Sequence, residues 1–116
     1  MSNTILNIEE IIGGTKAISS EDGDLVFNKV KPLLEKGEAV SIDFENIELI
    51  VSTFLNASVG QLYGSFSSDY IKDHFSVLNM VDDDLRILQK VVTRAKQYFA
   101  NRESFSSSVN EAMNNG

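Results

Sequence analysis

The chain has 116 residues, a formal net charge of −7, no cysteine and one histidine. That length supports one domain with a single hydrophobic core, and a content of 42% hydrophobic and 23% charged residues is that of a folded chain rather than a disordered one. Disulfides, thiolate metal sites and cysteine nucleophiles are excluded, the acidic balance disfavours non-specific binding to nucleic acid, and no apolar run approaches the roughly 20 residues that cross a bilayer.

The opening Met1, Ser2, Asn3 and Thr4 lack the basic start and apolar core of a secretory signal, which with the absent cysteines points to a cytoplasmic protein. Thr4 to Ile8 alternates and is β-branched at both ends, so it predicts a strand. Ile11, Ile12 and the pair Gly13 and Gly14 predict a turn into a second strand around Lys16 to Ile18, because glycine reaches positive φ without steric cost. Ser20, Glu21, Asp22 and Asp24 then supply a capping hydroxyl and acids suited to the positive end of a helix. Val26, Val30 and Leu33 recur at helical spacing, and Lys36 with Gly37 supplies a stop. Pro32 deletes a backbone donor and crowds the preceding turn, so a bend is expected there, with the Asn28 carbonyl facing water.

Ala39 to Phe44 predicts the next strand, with Val40, Ile42 and Phe44 on one face and Ser41 and Asp43 on the other. From Ser52 the period changes. Leu55, Val59, Leu62 and Phe66 form a helical stripe that ends over Ser65 to Asp69. Gly60 and Gly64 lie four apart on it, and each costs about 1 kcal/mol against alanine, which implies close approach of a neighbour. Phe75 to Asn79 predicts another strand, with Tyr70 and Ile71 in the connection before it. Asp82, Asp83 and Asp84 start a last helix whose apolar stripe is Leu85, Leu88, Val92, Ala95 and Phe99. Arg86, Lys90 and Arg94 form a basic row on it at i, i+4 spacing. Beyond Arg102 the chain is rich in Ser and Asn, so residues 1–102 are expected to form the domain and 103–116 a disordered tail. Helices interleaved with strands predict an α/β domain: a mixed, partly parallel sheet of about four strands with helices packed on it.

Val40, Ser41, Ile42, Asp43 and Phe44, followed by Ile50, Val51, Ser52, Thr53, Phe54 and Leu55, stand in this element order. The arrangement resembles the STAS-like domains of bacteria, whose function is unassigned, and through them the STAS domain of anti-sigma factor antagonists. The resemblance extends over residues 4–100, roughly. It implies a STAS-like fold, a phospho-acceptor at Ser52 with Thr53 beside it, and Leu55 as a buried leucine. It further implies a protein partner, a kinase with the histidine-kinase type of ATPase fold. Val51 stands where the antagonists carry an aspartate, and Phe54 where they carry a glycine.

Two readings of Ser52 and Thr53 stay open at this point. A hydroxyl here can cap the helix, worth about 1 kcal/mol, or accept a phosphate that adds almost two negative charges near the helix's positive end. Asp43, Phe54, Asn56 and Gln61 flank the junction and are candidate partner-binding residues, Asp43 being also suited to bond backbone donors in the loop. Arg86, Lys90 and Arg94 are either a solvated face or a docking row for an acidic partner or a nucleotide phosphate. The acids Asp82 to Asp84 do not share a helix face, so they favour the helix start over a metal. His74 has no nucleophile at hydrogen-bonding spacing, and Gly13 with Gly14 lacks the lysine of a phosphate-binding loop. No cofactor, no metal and no enzymatic activity are expected. The leading expectation is a non-catalytic regulatory protein–protein interaction module, anti-sigma-antagonist-like and phospho-switched as the resemblance implies. The alternative is a domain that binds a small anion or nucleotide at the helix start near Ser52, where backbone N–H groups attract negative charge. No pattern fixes the oligomeric state.

Overall fold

A computed structural model describes the backbone from Asn3 to Asn115 and the side chains from Asn3 to Ala100, so the side chains of the tail expected over residues 103–116 lie outside the described residues. In chain order the elements are β1 (Asn3–Asn7), α1 (Ile8–Ile12), β2 (Lys16–Ala17), α2 (Ser20–Glu35), β3 (Ala39–Asp43) and β4 (Leu49–Ile50). They continue with α3 (Ser52–Ser58), a 3₁₀ turn (Gly60–Gly64), α4 (Ser68–His74), β5 (Phe75–Leu78) and α5 (Asp82–Asn115). The α/β class expected from the sequence is the one the chain forms. Its strands divide into two sheets, and every strand pair among the described residues is parallel. The larger sheet has the order β1–β3–β5, with Thr4 opposite Val40 and Val40 opposite Phe75. The smaller joins β2 to β4, with Lys16 opposite Leu49 and Ala17 opposite Ile50.

The central strand is covered on both faces. Val40 and Ile42 are buried, and so is Ser41 between them. Burying that hydroxyl is tolerated because its oxygen lies 2.7 Å from the Ser76 hydroxyl on the neighbouring strand. Val26, Val30 and Leu34 of α2, Phe54 and Leu55 of α3, and Leu62 of the 3₁₀ turn join Ile42 in one core. Helix α2 is bracketed by Ser19, whose hydroxyl accepts the Asp22 N–H at 3.1 Å, and by Gly37 at φ 83. It runs through Pro32 to Glu35.

Four local expectations are corrected. Ile8 to Ile12 is a helical turn rather than a strand end followed by a turn, because Asn7 caps it by accepting the Glu10 N–H at 2.9 Å and Gly13 stops it at φ 73. Tyr70 and Ile71 belong to α4, capped by the Ser67 hydroxyl on the Tyr70 N–H at 3.1 Å. The single helix expected from Ser52 is broken at Val59, after which the chain tightens into the 3₁₀ turn. The loop after β3 contains β4, held by β2. The inference of close approach at Gly64 matches the packing, since a Cβ there would meet the Phe99 ring at 2.6 Å. At Gly60 the neighbours, Val91 and Ala95, stand at ordinary contact of 3.7 and 3.8 Å.

Candidate functional site

The start of α3 is set by the small sheet before it. Val51 donates its N–H to the Ala17 carbonyl at 3.1 Å, which holds Val51 extended at φ −121 and ψ 160. The first helical residue is therefore Ser52, and the N-cap is Val51, which has no side-chain oxygen to offer. A capping hydroxyl must come from the extended residue just outside the helix. Ser52 and Thr53 lie one and two positions too late, so the capping reading is corrected. Both residues are exposed, on the first turn of a helix that no side chain caps.

Two exposed apolar side chains stand on or directly after the strand pair that leads into α3. Along β2 and β4 the period of two turns Ala17 and Ile50 into the core and Leu49 outward. Ile18 follows β2 directly, next to the Ala17 carbonyl that accepts the Val51 N–H. Leu49 is 47% exposed and Ile18 45% exposed. Sequence reading missed both, because two-residue strands are too short to show alternation.

The flanking residues divide into those at the surface and one that is not. Phe54 is fully buried and packs edge-on against Phe44, with ring centroids 6.4 Å apart. It is a core residue, and its proposed place on a partner-binding rim is corrected. Asp43 ties two loops together: one carboxylate oxygen accepts the Glu45 N–H at 2.9 Å and the Asn79 side-chain amide at 2.8 Å. Those loops follow β3 and β5, and Asn46 and Asn79 adopt positive φ of 67 and 57 in them. Asn56 is exposed and lies one turn beyond Ser52 on the same face of α3. The Gln61 amide donates to the Asp24 carboxylate at 2.8 Å and to the Ala57 carbonyl at 2.7 Å.

Packing of α3 on α5 brings part of the basic row to this face. Arg94 shares a hollow of about 280 Å³ with Asn56, Gly60 and Gln61. Lys90 and Arg86 lie farther along α5, and Arg86 pairs with Asp83 at 2.7 Å in an exposed position, where such a pair contributes little. His74 stands apart. Its Nδ1 lies 2.9 Å from the Tyr70 carbonyl, which can only accept, so Nδ1 carries the proton. The ring stacks on Tyr70 at 4.0 Å, Tyr70 stacks on Phe66 at 5.4 Å, and the Tyr70 hydroxyl donates to the Leu34 carbonyl. That ladder gives His74 a structural position.

Residues 22–85, from the first turn of α2 to the first turn of α5, match the family described as a STAS-like domain of unknown function (DUF4325). The chain belongs to this STAS-like domain family. No curated protein and no solved structure matches it. The matched part of the STAS-like domain contains β3, β4, α3, α4 and β5, and with them Asp43, Ser52, Thr53, Asn56 and Gln61. Lys90 and Arg94 lie beyond it. Among the described residues of the STAS-like domain no three acidic or histidine side chains are grouped to hold a metal ion. No described helix is long and apolar enough to cross a membrane.

Proposed function

We propose that this STAS-like domain is a non-catalytic, cytoplasmic regulatory module that docks a protein partner through the start of α3. In this reading Ser52, with Thr53 beside it, accepts phosphate from a partner with the histidine-kinase type of ATPase fold, and the added charge switches docking. The observation that carries the reading is the pair of exposed hydroxyls on an uncapped helix turn, with exposed Ile18 and Leu49 on or directly after the strand pair that leads into it. A structural hydroxyl would be spent on a cap. An apolar border supplies contact area, and a phosphate placed at its edge would desolvate unfavourably against an apolar partner. The small-anion alternative has less support, since α3 is seven residues long and has no basic side chain in its first turn.

The test is incubation with a histidine-kinase-type ATPase from the same host and ATP, followed by phosphosite mapping. Phosphate at Ser52 or Thr53, lost in the Ser52→Ala, Thr53→Ala double variant, is the expected result. Incorporation at neither residue, with partner binding identical for wild type and Ser52→Asp, would sink the switch. A Leu49→Glu variant that binds the partner as wild type does would remove the docking surface. Ester or acyl hydrolysis abolished by Ser52→Ala would overturn the non-catalytic reading.

A further inference from the structure

A cavity at the open edge of the main sheet has no part in the docking site. Because β5 ends the order β1–β3–β5, no further strand fills the space between it, α4 and α5. A cavity of about 310 Å³ remains there, with Val59, Ile71, Val77, Leu88 and Val92 as its apolar wall. Leu88, Val92 and Lys96 follow at four-residue steps, so one face of α5 supplies both the wall and a cation at its end. Lys72 reaches the same border from α4. A second hollow, about 530 Å³, shares Tyr63, Ser68 and Lys96 with the first and adds the serines at positions 65 and 67.

Both hollows combine apolar side chains with hydroxyls, and Lys96 lines the two of them. In a chain of net charge −7 no carboxylate among the described residues lines either one, and two ammonium groups border the apolar cavity. Lys96 stands at the seam, its Nζ 5.9 Å from the centroid of the Tyr63 ring. Burial raises the Tyr63 pKa, so the phenol stays a neutral hydrogen-bond donor beside that ammonium. An apolar slot that opens on a cation and several hydroxyls complements a molecule with a hydrocarbon chain and an anionic head. The slot sits at the small end of the range for ligand pockets, about 300 to 1,000 Å³, which selects a medium-length chain.

We propose that this cavity binds a medium-chain fatty acid, with its acyl chain against Leu88, Val92 and Val77 and its carboxylate at Lys96. Burial of the chain supplies most of the affinity, and the lysine orients it.

The experiment is titration of the full 116-residue protein with decanoate below its micelle concentration, followed by backbone amide chemical shifts. Saturable shifts centred on Ile71, Val77, Leu88 and Val92 are expected. Lys96→Glu, an exposed substitution that keeps the fold, is expected to weaken binding by about tenfold. Decanol, without the charge, is expected to bind more weakly and to be indifferent to Lys96→Glu. Val92→Trp fills the slot and should abolish the shifts while the spectrum stays dispersed. The absence of saturable shifts would overturn the proposal. So would equal decanoate affinity for wild type and Lys96→Glu, or binding of an acidic amphipathic peptide where decanoate does not bind.

Discussion

A Cβ added at Gly23 would lie 2.6 Å from both the Ala57 Cβ and the Phe54 carbonyl oxygen. One of those atoms is backbone, so the clash cannot be relieved by rotating a side chain, and α2 would have to move off α3. Gly23→Ala is therefore expected to destabilise the domain by about 2 kcal/mol, read as a lower denaturant midpoint at unchanged slope. Gly60→Ala makes the opposite comparison. Its Cβ would meet Val91 and Ala95 at ordinary contact distance, so stability should stay within about 0.5 kcal/mol or rise slightly. A Gly60→Ala loss as large as that of Gly23→Ala would show that helix spacing is not the deciding quantity. Sequence reading singled out Gly60 and Gly64 because glycine is conspicuous in an apolar helical stripe. Gly23 escaped notice because it sits in an acidic first turn, where glycine looks unremarkable and the partner helix is thirty residues away.

At the scale of elements, the starts of α1, α2 and α4 are closed by Asn7, Ser19 and Ser67, while α3 begins without a side-chain cap. Removing a working cap costs about 1 kcal/mol, so Ser19→Ala should lower the unfolding free energy by that amount. Ser52→Ala and Thr53→Ala should each leave it within about 0.5 kcal/mol. Equal losses at Ser19 and Ser52 in denaturant unfolding would restore the capping role of Ser52 and weaken the docking proposal. The same comparison explains what was legible. Strand β3 and helices α2 and α5 carry enough residues for their periods to appear in the sequence. Helices α1 and α4, at five and seven residues, are too short for a stripe, and only their caps and the glycine after α1 mark them. Strands β2 and β4 are two residues each and exist through each other: the glycine pair before it marks β2 near Lys16, whereas nothing local announces β4. Yet this pairing fixes where α3 starts and leaves Leu49 exposed just before it. The junction at Ser52 could be found in the sequence, whereas its uncapped state and its apolar border depended on that pairing.

The whole molecule places its ends of opposite character on different elements: most acids lie before α3, and α5 from Arg86 to Arg94 carries the basic row. Tyr63 lies where these parts meet, on the 3₁₀ turn, with the α5 ammonium of Lys96 near its ring. Burial raises its pKa above the ordinary value of 10.0, because removal from water penalises the phenolate. The folded chain thus keeps this proton to higher pH than the unfolded chain does. The stabilisation it represents is fully present below the unfolded value and is lost as pH rises through the folded one. Thermal unfolding followed from neutral pH to above about pH 10 should therefore show a melting temperature that falls at the alkaline end. Part of that fall should be missing in Tyr63→Phe, which keeps the ring and removes the titrating group. Every other ionisable group is common to the two proteins, so the difference between the two profiles isolates Tyr63. Superimposable alkaline profiles would mean that the phenol is solvated in the folded chain, and burial would not be what keeps it a neutral donor beside Lys96.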